Sequence, residues 1–175
     1  MALLGIYMLF YYDVALALEN LNHNWTHSTG VLIAFNAGNI PGRFLPLIPE
    51  RSLKPGSITT LCTFSGAVLL YIGTTTSFPG TVTVTTIYGM VVGGIQATYS
   101  TVVAAQSGGC NKRISAIFWV SGLGCLFGPP IGGGLIDGKG GYLGMQLFAA
   151  TAVLIGGMGF GLSIWTGKRN VGITV

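Results

Sequence analysis

Few side chains in this sequence could take part in chemistry, and Arg43 is the first of them because it lies inside an apolar stretch. A guanidinium at the bilayer centre costs roughly 2.5–3.5 kcal/mol on insertion scales, so such an arginine usually faces a partner or a water-filled cavity. Its planar fork of donors can hold both oxygens of a carboxylate. Asn39 lies four residues earlier and so on the same helix face. The pair predicts a site for an anionic group; the alternatives are that Arg43 caps nearby carbonyls or pairs with Asp13.

Three further polar side chains interrupt apolar runs. Asp13 follows Tyr11 and Tyr12 in the first run, where it could carry a proton or simply lie near the outer mouth of the protein. Gln96 and Tyr99 lie in the fourth run. They could line a cavity with Arg43, or they could form hydrogen bonds between helices. We therefore take Arg43, Asn39, Gln96, Tyr99 and Asp13 as the candidate substrate-binding residues.

Other motifs in the sequence have simpler interpretations than catalysis or metal binding. The segment 133–139 reads GGLIDGK, the skeleton of a phosphate-binding loop, but glycine follows the lysine and no buried strand precedes it. His23 and His27 are spaced like helix ligands but lack a third partner, so we expect no metal. A glycosylation sequon begins at Asn24. No nucleophile–base–acid set or carboxylate pair has a plausible context, so we expect neither enzyme activity nor a cofactor.

The composition indicates an integral membrane protein. Charged residues make up 7% of the 175 residues, against about 25% in soluble domains, and hydrophobic residues make up 50%. The 29 glycines suit helices that pack closely in lipid. The net charge of +4 comes from scattered basic residues, which argues against a nucleic-acid partner. No signal peptide is expected, because no positive charge precedes the first apolar run.

Six apolar runs have about the length that a membrane-spanning helix needs. We place them at about 2–18, 28–48, 57–77, 81–105, 114–136 and 143–166, and treat residues 1–175 as one transmembrane domain. The segment TVTVTTIY at 81–88 alternates and is β-branched, which is a strand signal. A spanning barrel would repeat that pattern, and a lone segment in lipid must satisfy its backbone as a helix. We therefore predict an all-α fold.

The basic residues predict the orientation of these helices. If the chain starts on the cytoplasmic side, the inner loops and tail carry six lysines or arginines and the outer loops carry one. The inner set is Arg51, Lys54, Lys112, Arg113, Lys168 and Arg169, and the outer residue is Lys139. This satisfies the positive-inside rule and predicts a cytoplasmic C-terminus.

Proline and glycine predict where the helices bend and meet. Pro41 and Pro46 lie in the second run, and Pro129 and Pro130 lie in the fifth. Proline removes a backbone donor and bends a helix, and neighbouring helices re-satisfy the freed carbonyls. The pairs Gly89–Gly93 and Gly157–Gly161 have the spacing of close helix contacts.

Several of these segments resemble one family. The stretch 38–56, GNIPGRFLPLIPERSLKPG, resembles the region between helices eight and nine of fungal monocarboxylate-porter-like transporters of the major facilitator superfamily. The resemblance continues through IYGMVVGGIQATYSTVVA, FWVSGLGCLFGPPIGGGLID and GGYLGMQLFAATAVLIGG, which are similar to helices ten, eleven and twelve. It covers nearly the whole chain.

The resemblance implies half of a major facilitator fold, corresponding to helices seven to twelve of a twelve-helix protein. It implies transport of small monocarboxylates or related metabolites, with Arg43 at the position of a substrate-binding arginine. The expected partners are the lipid bilayer, a small carboxylate and either an N-terminal half or a second copy. We expect a multi-pass protein of the plasma membrane. The alternative is a truncated fragment that does not transport alone, because Met1 leads at once into an apolar helix.

Overall fold

The computed structural model describes residues 2–20, 25–44, 55–72, 78–108, 110–138 and 141–170. Every regular element in these ranges is an α-helix, which confirms the predicted all-α class. The helices are α1 (Ala2–Asn20), α2 (Trp25–Phe44), α3 (Pro55–Ile72), α4 (Phe78–Gln106), α5 (Asn111–Ile136) and α6 (Gly141–Asn170). Each overlaps one of the six predicted runs.

Three of the described helices are long and apolar enough to cross a membrane: Phe78–Ala105, Asn111–Ile136 and Gly141–Ser163. Two shorter apolar helices span Ala2–Ala15 and Gly56–Ile72. The alternating segment 81–88 lies inside α4 and is helical. A threonine fits a helix when its hydroxyl donates a hydrogen bond to the backbone carbonyl oxygen one turn earlier. Thr86 does so, donating to the Val82 carbonyl oxygen at 2.7 Å.

Helices α2 and α4 make the most extensive helix–helix contact in the described chain, and glycines on both helices permit it. A Cβ atom on Gly38 or Gly42 of α2 would overlap the backbone carbonyl oxygen of Thr86 or Met90 on α4. The reverse holds for Gly89 and Gly93, where a Cβ would overlap carbonyl oxygens on α2. The predicted close contact at Gly89–Gly93 is confirmed, and its partner surface is the Gly38–Gly42 pair.

Helix α1 packs between α5 and α6, and glycines again permit the close approach. A Cβ on Gly132 of α5 would come within 2.8 Å of Met8 and of the Tyr12 ring. A Cβ on Gly5 would meet the Ala149 carbonyl oxygen of α6 at 2.6 Å. Tyr12 also donates a hydrogen bond of 2.9 Å to the Pro129 carbonyl oxygen, beside the two prolines inside α5.

The second predicted glycine pair, in α6, makes looser contacts with α3. A Cβ on Gly157 would lie 3.0 Å from the Thr63 methyl, and a Cβ on Gly161 would lie 3.5 Å from the Thr60 methyl. Helices α3 and α4 are joined by a buried hydrogen bond of 2.6 Å from Thr59 to the Thr98 hydroxyl. Small and hydroxyl side chains thus bring the helices together, as expected where backbones approach closely in lipid.

Candidate functional site

A cavity of about 210 Å³ with a partly polar lining lies where α1, α2 and α4 meet. Its polar lining comes from four side chains, Asn36, Asn39 and Arg43 of α2 and Gln96 of α4. The rest of the lining is aromatic and aliphatic: Ile6, Tyr7, Phe10, Phe35 and Val92. The tight α2–α4 crossing fixes the relative positions of Arg43 and Gln96, since Gly93 and Gly42 touch beside them.

The Arg43 guanidinium is held by two amides. Its Nε donates to Asn39 Oδ1 at 3.1 Å, and its Nη2 donates to Gln96 Oε1 at 3.1 Å. These bonds use two of the five N–H donors that a guanidinium carries. In the described part of the chain both acceptors are neutral, so the amides orient the guanidinium without cancelling its charge. The site can therefore present a positioned cation, with donors to spare, to an anion in the cavity.

Three aromatic residues, Tyr7, Phe10 and Phe35, also line this cavity. The ring of Phe35 lies 5.6 Å from that of Phe10 and 6.0 Å from that of Tyr88, measured between centroids. Phe35 is 4% exposed and packs into the hydrophobic core. A small ligand with one charged end and an apolar body would match this lining of polar and apolar residues.

The structure brings together three of the five predicted site residues. Arg43, Asn39 and Gln96 line one cavity, whereas Tyr99 and Asp13 do not reach it. The Tyr99 hydroxyl is hydrogen-bonded to the Ser121 hydroxyl, and its ring meets Phe118 edge-on at 5.6 Å. Tyr99 therefore forms a hydrogen bond between α4 and α5, which was the alternative to lining a cavity with Arg43. The structure also places Asp13 apart from Arg43, in a second cavity of about 30 Å³.

Sequence reasoning missed Asn36 and Tyr7. Asn36 precedes Asn39 by three residues and Arg43 by seven, so the three polar residues form one helical stripe that the sequence spacing could have revealed. Asn36 also donates to the Leu32 carbonyl oxygen at 2.9 Å. No comparable signal exists for Tyr7, because α1 carries aromatic residues on more than one face.

Several sequence predictions concern residues outside the described ranges. Arg51, Lys54, Lys139, His23 and Asn24 all fall there. Of the residues used to predict orientation, Lys112 and Arg113 are exposed in the first turn of α5, and Lys168 and Arg169 lie in the last turn of α6.

Comparison with known proteins gives a distant transporter relative. The chain is 29% identical over 163 residues to the Aspyridones efflux protein apdF of Emericella nidulans. The match covers 88% of this chain and 32% of that protein, so the chain spans about a third of the length of its relative. No family model matches the chain, and no solved structure matches it.

The similarity to a transporter and the apolar helices are consistent with each other. The apolar helices, together with the similarity to an efflux protein, support a location in a membrane.

Proposed function

We propose that this chain is the C-terminal, six-span half of a major facilitator superfamily transporter, and that it carries small monocarboxylates or related metabolites across the plasma membrane. The observation that carries this proposal is the Arg43 guanidinium, oriented by two neutral amides in a cavity between three helices. The similarity to an efflux protein supports the transport part of the proposal.

The charge of Arg43 gives the chemical reason for an anionic substrate. A guanidinium within a membrane protein is costly unless an anion or water meets it, and neither Asn39 nor Gln96 supplies an anion. A carboxylate can accept two parallel N–H bonds from such a group. The apolar wall around Phe35 would then receive the rest of a small organic acid.

The size of the cavity favours a site that is completed from outside this chain. Ligand pockets usually enclose about 300–1,000 Å³, and this one encloses about 210 Å³. Arg43 is itself exposed at its edge. In transporters built from two halves the substrate lies at the midplane between them. A second candidate function follows, in which this chain does not transport alone and requires a partner half.

Transport assays in proteoliposomes test the proposal. Arg43→Ala should lower saturable monocarboxylate flux at least about tenfold, the effect of losing roughly 1.4 kcal/mol of binding. Arg113→Ala is the matched control, because Arg113 is exposed at the start of α5 and remote in sequence from the cavity lining. Flux that survives Arg43→Ala unchanged would rule out the anchor role.

The partner requirement is tested by reconstituting the chain alone and together with a co-expressed N-terminal half of a related transporter. Flux from the chain alone would contradict the partner requirement and favour an assembly of its own copies. Flux only with the second half, lost again in Arg43→Ala, would support it.

A further inference from the structure

The second cavity lies between α1, α3, α4 and α6 and shares no lining residue with the Arg43 cavity. Its volume is about 30 Å³, which suits one occupant the size of a water molecule. The polar residues that line it are Asp13, Thr81, Thr85, Tyr88 and Gln146. The site is therefore small, and its mixed lining includes five oxygen-bearing side chains.

Two of these side chains are buried with an unsatisfied atom. Asp13 is 8% exposed and Tyr88 is 5% exposed. Among the residues that the structure describes, Asp13 Oδ2 and the Tyr88 hydroxyl have no hydrogen-bond partner. A buried carboxylate without compensation costs several kcal/mol, so such groups are normally paired, coordinated or neutralised. Both residues line one cavity, so an occupant of that cavity could satisfy these atoms.

The described lining supplies no counter-charge of its own. Helix α3 contributes Leu69 and Leu70, and α6 contributes Gln146, whose Nε2 already donates to the Leu70 carbonyl oxygen at 2.9 Å. Helix α4 contributes two threonines, Val84 and Tyr88, which is the other titratable group facing Asp13. Lys168 and Arg169 lie near the C-terminal end of α6, outside this lining, and Arg43 of α2 lines the other cavity. The compensating charge must then come from a bound species.

We propose that this cavity binds one small monovalent cation, a proton or sodium, on the Asp13 carboxylate, with the Tyr88 hydroxyl as a second oxygen partner. Hard oxygen ligands suit such cations, and one carboxylate balances a single positive charge. Either cation neutralises the same buried group, and either fits the space. The site is independent of which substrate the Arg43 cavity takes.

Thermal unfolding of the purified chain in detergent tests the proposal without measuring transport. A cation that binds the folded chain raises Tm with its concentration. Wild type is melted in sodium chloride and in N-methyl-D-glucamine chloride at equal ionic strength, at two pH values. We expect Tm to rise with sodium, or to rise as the pH falls if the proton is the occupant.

Two asparagine variants make a matched pair. Asp13→Asn should lose the sodium or pH dependence of Tm, because it removes the charge that the cation neutralises. Asp137→Asn should keep it, since Asp137 is exposed after the end of α5. A wild-type Tm that responds to neither cation, or an Asp13→Asn variant that responds like wild type, would overturn the proposal.

Tyr88→Phe keeps the test decisive if Asp13→Asn does not fold. This variant retains the carboxylate and removes one proposed partner, so the cation dependence of Tm should weaken. Tyr71→Phe is its control, because Tyr71 is 40% exposed on α3 and does not line the cavity. Equal cation dependence in Tyr88→Phe, Tyr71→Phe and wild type would contradict the assignment.

Discussion

At the scale of single residues, the cavity is defined by how Arg43 is held. Its two amide partners lie on different helices, one a turn earlier on α2 and one on α4. The pairing with Asn39 could be predicted from sequence because four residues is one helical turn. The pairing with Gln96 depends on how α2 packs against α4, which spacing along one helix does not determine. Tyr99 is hydrogen-bonded to Ser121, and Asp13 lines a second cavity with Tyr88, so these two predicted residues do not line the Arg43 cavity.

A charge placed at Gln96 should distinguish an anion site from a structural arginine. Gln96→Glu would put a carboxylate beside the guanidinium, and two unit charges 4 Å apart attract by about 4 kcal/mol at an effective dielectric constant of 20. This internal carboxylate would compete with a substrate anion. We expect Gln96→Glu to weaken monocarboxylate binding at least about tenfold, measured with a labelled substrate.

The control at this position is Gln96→Leu, which removes the hydrogen bond without adding charge and should weaken binding less. If Gln96→Glu bound the labelled anion as well as Gln96→Leu does, the guanidinium would not be the anion's partner.

At the scale of elements, the α2–α4 crossing determines the geometry of the cavity. The sequence pattern predicted each helix because apolar runs of this length in lipid must satisfy their backbones internally. It also predicted Gly89 and Gly93 as contact residues. It did not identify Gly38 and Gly42 as their partners, because glycine spacing predicts that a helix face packs closely but does not predict which helix packs against it. Residues 45–54, where Pro46 lies, fall outside the described ranges.

Adding one methyl group at the crossing should destabilise the fold. In Gly42→Ala the new Cβ would overlap the Met90 carbonyl oxygen, which is backbone and cannot rotate away. Overpacking of this kind costs about 1–3 kcal/mol. We expect a lower Tm in detergent for Gly42→Ala.

Gly159→Ala supplies the comparison, because a Cβ there meets nothing within 4 Å. Its stability should equal or exceed that of wild type, by up to about 1 kcal/mol, because alanine has the higher helix propensity. Equal stabilities of the two variants would mean that α2 and α4 do not touch at Gly42.

At the scale of the whole molecule, the proposed half-transporter arrangement and the proposed class of substrate rest on the family resemblance, because spacing and periodicity do not predict them. Composition alone predicted a membrane protein, because 7% charged residues cannot cover the surface of a soluble domain of this size. The predicted orientation of the helices rests on the distribution of basic residues, and it predicts that the start of α5, where Lys112 and Arg113 are exposed, is cytoplasmic.

A native cysteine allows a direct test of this orientation. Cys110 is exposed between α4 and α5, whereas Cys62 is buried. We expect a membrane-impermeant maleimide to label Cys110 in permeabilised cells and not in intact cells. Asp137→Cys, made with Cys110→Ser, should show the opposite pattern, because residue 137 follows α5 at its other end. Labelling of Cys110 in intact cells would reverse the proposed topology.

The most direct test of the central claim asks what surrounds position 43. Arg43→Cys and Ile40→Cys, in a background without the three native cysteines, are exposed to a charged thiol reagent in the membrane. Ile40 is 64% exposed on the same helix but does not line the cavity. A water-filled anion site predicts rapid modification at position 43, slowed by added monocarboxylate, and little at position 40. Modification at position 40 with none at position 43 would place Arg43 against lipid and contradict the account.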